Sequence, residues 1–301
     1  MNKLKQTVAV LALCGIVQAA PAQDRGQNGQ VVQDGIAVKP LKGGWLRDAL
    51  APEGEMDKAA AQQYAAMMGQ AQQKGVLVSP NDPQVKRLRA IAQRIIPHTA
   101  RWNQDAQQWK WQVNLVKSDQ VNAFCMPGGR IGFFTGILTS LKLTDDEVAA
   151  VMGHEIAHAL REHSREKAAK QTVTNVGARV GGALLSGIFG IDPNITGTVA
   201  GYGAQLFGLK YSRDDEREAD LVGLDIAARA GYDPRAGIAL WRKMAALDRR
   251  APIELLSTHP GGENRIAIME EHMGQLLPVY ARAKGTTAAK LPPYRTNVAL
   301  R

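Results

Sequence analysis

Apolar positions recur at helical spacing in two stretches early in the patterned part of the chain. Over residues 56–73, Tyr64, Met67, Met68 and Ala71 fall on one face, which predicts a core-packing helix closed by Gly75. Asp82 and Pro83 then supply a cap and a first-turn proline, and Val85, Leu88, Ile91 and Ile95 mark the buried stripe of a second helix that stops before Pro97. The period changes to two from Trp109 to Leu115, where Trp109, Trp111, Val113 and Leu115 alternate with polar residues and predict a half-buried strand. Residues 121–126 and 131–135 flank Pro127-Gly128-Gly129-Arg130, a turn that folds them into a hairpin beside that strand. Thr144 and Glu147 form a capping box at the head of a helix whose spacing continues to about Gln171. Ser212 caps another helix that runs to Ala230, Asp233-Pro234 opens one ending near Asp248, and a last one covers 263–277. The fold class expected is α+β and predominantly helical, with a small three-stranded antiparallel sheet packed on the helices.

Composition narrows this picture. At 301 residues, with 45% apolar and 22% charged positions, the chain has material for one sizeable core and no need of a disulfide framework. Aromatic residues make up only 5%, too few for a nucleic-acid surface built on stacked rings, so the formal charge of +9 has another origin. Part of it lies in residues 1–22, where Lys3 and Lys5 precede an apolar stretch from Thr7 to Ala20 and a small-residue site at Ala20-Pro21-Ala22. This is the pattern of a cleaved secretory signal, and the apolar stretch is shorter than a spanning helix requires. Cys14 offers lipoprotein anchoring as the lesser alternative, because Leu13 before it is larger than lipid processing wants. Without Cys14 the chain keeps Cys125 alone, with no internal disulfide, which suits a periplasm. Residues 23–54 read as a solvated leader, 55–277 as the folded domain and 278–301 as a basic tail. Between 172 and 209 lies a Gly-rich apolar stretch whose residues 180–191 carry no charge. It reads as buried helix, cover over a site or membrane-leaning surface.

Candidate chemistry begins at His154-Glu155-Ile156-Ala157-His158. On a helix turning about 100° per residue, the two histidines lie about 40° apart on one face and can grip one metal ion. Glu155 is rotated away from both, beside the ion, in the position of a general base acting on water. A catalytic zinc site needs a third protein ligand. The metzincin spacing is absent, because Arg161 and Ser164 stand where its Gly and third His belong, and no carboxylate lies between Glu166 and Asp192 to serve at thermolysin-like spacing. His163 points to another face of the continuous helix and reads as a surface histidine; His98 and His272 read as structural. The acidic cluster after Ser212 is the next source. Asp214 and Asp215 suit the positive end of the helix dipole. Glu216 and Asp220, four apart on a partly buried face, need a positive partner, and a zinc ion held by two histidines supplies it. Glu216 as ligand and Asp220 as acceptor for a ligand imidazole is the assignment preferred here. Cys125, pointing away from Phe124 and Met126, reads as a small buried residue without a cysteine-protease signature around it.

Four segments together resemble the HtpX-like and CAAX-prenyl-protease-like family of zinc metallopeptidases, metallopeptidase family forty-eight, in its soluble exported branch. They are Val121-Asn122-Ala123-Phe124 with Pro127-Gly128-Gly129, Gly153 through His158, Ser212-Arg213 with Glu216, Ala219 and Asp220, and Ser257-Thr258-His259-Pro260 with Arg265. The resemblance covers residues 55–277 and lacks the membrane spans of the HtpX branch. It implies a gluzincin-type domain and one Zn2+ per chain held by His154, His158 and Glu216, with Asp220 in support. It also brings His259 to the site as transition-state donor or as an extra ligand in a latent form, with Tyr211 and Arg265 as alternates for the donor. Asn122, Ala123 and Phe124 become an edge strand that pairs with an extended substrate. The expected activity is endopeptidase action on unfolded or misassembled envelope proteins in the periplasm, with possible outer-membrane association and no nucleic-acid partner. The alternative is a zinc-containing chaperone or adaptor that holds such clients with proteolysis latent.

Overall fold

A computed structural model of the chain describes residues 34–38, 44–174, 210–249, 253–260 and 264–298, and these, Asp34 apart, belong to the unit Gly35–Arg301. The expected signal 1–22 and the uncharged run 180–191 lie outside the described residues. A short helix α1 (Trp45–Leu50) precedes α2 (Glu53–Gln73), which starts three residues earlier than its apolar pattern and buries Tyr64, Met67, Met68 and Ala71. Gly75 closes it with φ +68°, a conformation that glycine adopts without strain. α3 (Pro83–Ile95) is capped by Asp82, whose carboxylate accepts from Gln84 N at 2.7 Å, and buries Val85, Leu88, Ile91 and Ile95.

The sheet departs from expectation in two ways. Strand β1 spans Gln112–Val116, so Trp109 and Trp111 continue its alternation but lie outside the ladder. The reason is the partner's length: Gln112 pairs with Arg130, and the Pro127–Gly129 turn leaves nothing beyond for Trp109 to pair with. The three strands are also mixed, not antiparallel. The hairpin of β2 (Ala123–Met126) and β3 (Arg130–Phe134) is antiparallel, but β3 occupies the centre and runs parallel to β1. Alternation alone does not tell which hairpin strand faces β1. The sequence of β3, Arg130-Ile131-Gly132-Phe133-Phe134, is apolar on both faces, and all five residues are buried, as a central strand requires.

Helices α4 (Thr135–Ser140) and α5 (Asp145–Leu160) follow, the second opened by the Thr144–Glu147 capping box. α5 is the central helix and packs against β2, α3, α7 (Arg213–Arg229) and α8 (Ala236–Asp248). The helical spacing predicted through Gln171 is interrupted. Glu162 sits at φ +54°, the chain turns, and a separate helix α6 (His163–Thr174) starts at once. α9 (Glu254–Thr258) is a single turn, and α10 (Arg265–Ala283) continues past residue 277 through Pro278, because Val279 and Ala281 are buried.

Parts of the expected leader and tail also join the core. Ile36 is buried, and its N–H donates to Asp225 Oδ2 at 2.9 Å. Near the other end, Thr296 Oγ1 donates to Glu147 Oε1 at 2.6 Å, and Asn297 Oδ1 accepts from Lys243 Nζ at 2.9 Å. They surround a buried ion pair, Lys243 Nζ to Glu147 Oε2 at 2.6 Å, at the head of α5. No helix among the described residues is long and apolar enough to cross a membrane.

The α5–α7 crossing is made by two glycines. A Cβ on Gly153 would lie 2.5 Å from the Gly223 carbonyl oxygen, and one on Gly223 would lie 2.6 Å from the Gly153 carbonyl carbon and the His154 nitrogen. These neighbours are backbone and cannot swing aside. Gly223→Ala is expected to cost about 1–3 kcal/mol of stability and to lower metal retention. Gly69→Ala, where a Cβ meets nothing within 4 Å, should gain about 0.4–1 kcal/mol. Chemical unfolding of both variants, with metal content measured alongside, checks the pair.

Candidate metal centre

α5 carries His154, Glu155 and His158, and the close crossing sets Glu216, in the first turn of α7, against them. The two imidazole Nε2 atoms are 3.1 Å apart. Glu216 Oε2 lies 3.5 Å from His154 Nε2, and Oε1 lies 3.4 Å from His158 Nε2. His259 joins from the residue after α9, with Nδ1 at 3.0 Å from Glu216 Oε1 and 3.2 Å from His154 Nε2. One ligand atom from each of the four residues falls within a set no more than 4.8 Å across.

Asp220, one turn further along α7, holds His154 from behind. Its Oδ1 is 3.0 Å from His154 Nδ1, so the imidazole donates there and keeps its Nε2 lone pair for the centre. Arg265 in turn clamps both carboxylates. Its Nε and Nη2 donate to the two oxygens of Asp220 at 2.6 and 2.5 Å, its Nη1 donates to Glu216 Oε2 at 2.5 Å, and the Trp241 ring lies 3.7 Å beneath the guanidinium carbon. Arg265 is therefore committed to these two carboxylates, which removes it as an alternate transition-state donor. Tyr211 is placed differently again. Its ring stacks on His158 at 3.9 Å, and its hydroxyl pairs with Ser164 Oγ at 2.8 Å.

His163 corrects the sequence reading most. It is buried, not on the surface, with Nδ1 at 2.9 Å from His158 Nδ1 and Nε2 at 2.9 Å from Glu218 Oε2. The turn at Glu162 swings it back toward α5, and neither Arg161 nor Glu162 is a residue that announces such a turn. Glu218 belongs to the acidic cluster after Ser212, where nothing in the spacing sets it apart, and its other oxygen is 3.0 Å from Arg161 Nη2.

Charge follows from these neighbours. Burial alone would raise the acids, but His158, His259 and His154 hold Glu216 far below the usual carboxylate range, and Arg265 with His154 lowers Asp220 from its ordinary value. Burial pushes Glu155 the other way, up from its ordinary value, and the Glu216 charge adds to the push against the pull of His259 and His154. Burial drives His158 toward its neutral form, whereas the charges of Glu155 and Glu216 outweigh burial at His259 and raise it.

The residues fit a zinc ion. Two imidazole lone-pair positions and a carboxylate converge on one point, the usual donor set for zinc with a position left over. Glu155 Oε1 is buried beside them with no hydrogen-bond partner among the described residues, 3.7 Å from His259 Nε2. The profile of peptidase family M48 matches residues 83–273, the stretch that contains this whole centre. The chain belongs to peptidase family M48. M48 metallopeptidases use zinc, and the cluster of His154, His158, Glu216 and His259 is able to hold such an ion at a gluzincin-like site. Among family members, the chain is 37% identical over 172 residues to the mitochondrial metalloendopeptidase OMA1 of Arabidopsis thaliana, covering 56% of this chain and 33% of that one. It is 33% identical over 234 residues to the OMA1 metalloendopeptidase of Danio rerio, covering 73% and 47%. It is 27% identical over 215 residues to the beta-barrel assembly-enhancing protease of Escherichia coli, covering 67% and 42%. The chain thus spans less than half the length of these curated relatives.

The expected substrate strand lies at the sheet edge, but its roles redistribute. Phe134 N donates to Asn122 O, and Phe124 pairs with Gly132, so the main chain of Asn122 and Phe124 faces β3. Ala123 and Cys125 turn theirs outward, and the Ala123 N–H donates to the Asn122 side chain at 2.9 Å. Phe124 packs its ring against Tyr64 and Phe134. Cys125 is buried, as its place in the alternation implies.

Removing Arg265 should leave two buried carboxylates without their counter-charge. Arg265→Ala is expected to cost the metal-free protein about 3–5 kcal/mol at neutral pH. Because the folded state depresses Glu216 and Asp220, the stability they contribute is complete at neutral pH and declines as pH falls below about 4, where the unfolded carboxylates take up protons. The cost of Arg265→Ala should shrink over the same range. Urea unfolding from pH 7 to 3 measures it, and a cost independent of pH would contradict the clamp.

Proposed function

We propose that this chain is an exported zinc metalloendopeptidase that cleaves unfolded or misassembled envelope proteins. The observation that carries the reading is the convergence of His154, His158 and Glu216 next to a buried Glu155 carboxylate whose Oε1 has no hydrogen-bond partner among the described residues. The three ligands would hold zinc, which when bound acts as a Lewis acid on the scissile carbonyl and makes water acidic enough to react at neutral pH. Glu155 takes the proton of the attacking water, and its raised affinity for protons suits that task. It then returns the proton to the departing amine. His259 Nε2, on the Glu155 side of the cluster, is the group best placed to donate to the developing oxyanion. Asp220 fixes the His154 imidazole and does not touch substrate.

Unfolded clients follow from the edge of β2. The outward main chain of Ala123 and Cys125 would pair with an extended segment through backbone groups, which favours an unstructured chain over any particular sequence. The Asn122 side chain, now on the Ala123 N–H, would have to leave for that pairing. The exported location rests on residues 1–22, and the name of one relative, the beta-barrel assembly-enhancing protease, is consistent with work on envelope proteins, whereas the OMA1 relatives are named as mitochondrial.

One observation favours a second reading, that of a client-holding adaptor with latent proteolysis. His259 Nδ1 sits among the ligand atoms, so the same residue could close the fourth position. Both readings separate on one set of variants. Purified protein should digest unfolded casein; Glu155→Gln should lose at least about 100-fold in rate while keeping its zinc, and chelation should abolish cleavage. His259→Ala should change the rate while zinc is retained. Casein cleavage that survives Glu155→Gln defeats the protease mechanism, and inactive wild type that is switched on by His259→Ala supports the latent form.

A further inference from the structure

His158 differs from His154 in what stands behind it. His154 Nδ1 meets a carboxylate, but His158 Nδ1 meets another imidazole, His163 Nδ1, at 2.9 Å. Two ring nitrogens at that distance share one proton, and the question is which ring owns it. Glu218 decides. Its Oε1 is 3.0 Å from Arg161 Nη2 and its Oε2 is 2.9 Å from His163 Nε2. A carboxylate paired with a guanidinium is an acceptor only, so His163 donates from Nε2 and a neutral His163 has its lone pair on Nδ1. The proton between the rings then belongs to His158 Nδ1, and the lone pair of His158 is on Nε2, toward Glu216 and His154. Tyr211 holds the plane of the same ring by stacking at 3.9 Å.

We propose that His163, oriented by Glu218 and Arg161, is a positioning residue that selects the metal-binding tautomer of His158. The proposal rests on His158 being a zinc ligand and extends it: the centre is reached by a chain of two hydrogen bonds from Glu218 to His158, in addition to the single bond from Asp220 to His154. His163 touches neither substrate nor metal in this role. The relay asks only that His163 accept a hydrogen bond at the place of its Nδ1.

Glu218→Gln tests this without changing shape. Arg161 keeps the amide oxygen, so the amide NH2 faces His163 Nε2, which must then accept. His163 would donate from Nδ1, and the His158 proton would be driven to Nε2, blocking the ligand atom. Zinc affinity, measured by competition with a chromophoric chelator, should fall about 10–100-fold. His163→Leu, which accepts nothing, should fall similarly. His163→Asn, whose Oδ1 can occupy the place of Nδ1, should stay near the wild-type value. The unfolding midpoint of each metal-free variant accompanies the titration, and long-range 1H–15N spectra of the metal-free wild type should assign the His158 proton to Nδ1. Wild-type affinity in Glu218→Gln, equal losses in His163→Asn and His163→Leu, or a proton on His158 Nε2 in the wild type would each overturn the relay. Failure of the wild-type protein to bind one zinc would overturn the underlying metal-centre reading, and the relay with it.

Discussion

Everything at the centre depends on how closely two helix backbones approach. Gly153 and Gly223 bring α5 and α7 together with no side chain between them. At that crossing Glu216 and Asp220, one turn apart on α7, meet His154 on opposite edges of its ring. The approach of Glu216 to the two imidazoles and the Asp220 bond that orients one of them are thus set by the same helix contact.

Burying Glu155, Glu216 and Asp220 in one small volume is electrostatically unfavourable unless positive charge is built in. The fold meets this with one guanidinium. Arg265 enters from α10, lies flat on Trp241 and spends its donors on both α7 carboxylates. Glu155 is left outside this clamp. Burial acts on all three acids, but only in Glu155 does it prevail and leave the proton affinity above its ordinary value, whereas the partners of Glu216 and Asp220 hold those two below theirs.

Most of this was legible in residue spacing, and the exceptions have identifiable causes. The stripes of α2 and α3, the Thr144–Glu147 capping box, the Ser212 cap and the two-histidine face of α5 are local patterns, and local geometry realises them. Sheet order is not local: the alternation of β1 and the hairpin are equally compatible with either hairpin strand at the centre. His163 was read on a continuous helix, and a left-handed Glu162 overturned that, because such turns ordinarily show themselves through Gly or Asn. The function of Arg265 as a clamp depended on Trp241 and on α10, neither of which spacing connects to α7.

The buried Glu147–Lys243 pair, with Thr296 and Asn297 over it, gives the metal helix a foundation made from residues about 100 and 150 positions further along the chain. Arg265 likewise arrives 111 positions after His154. During synthesis the two histidines and their glutamate therefore emerge long before the groups that neutralise and anchor them. A polypeptide still being made has the motif without the groups that neutralise and anchor it, so the cluster is complete only once the whole domain has closed.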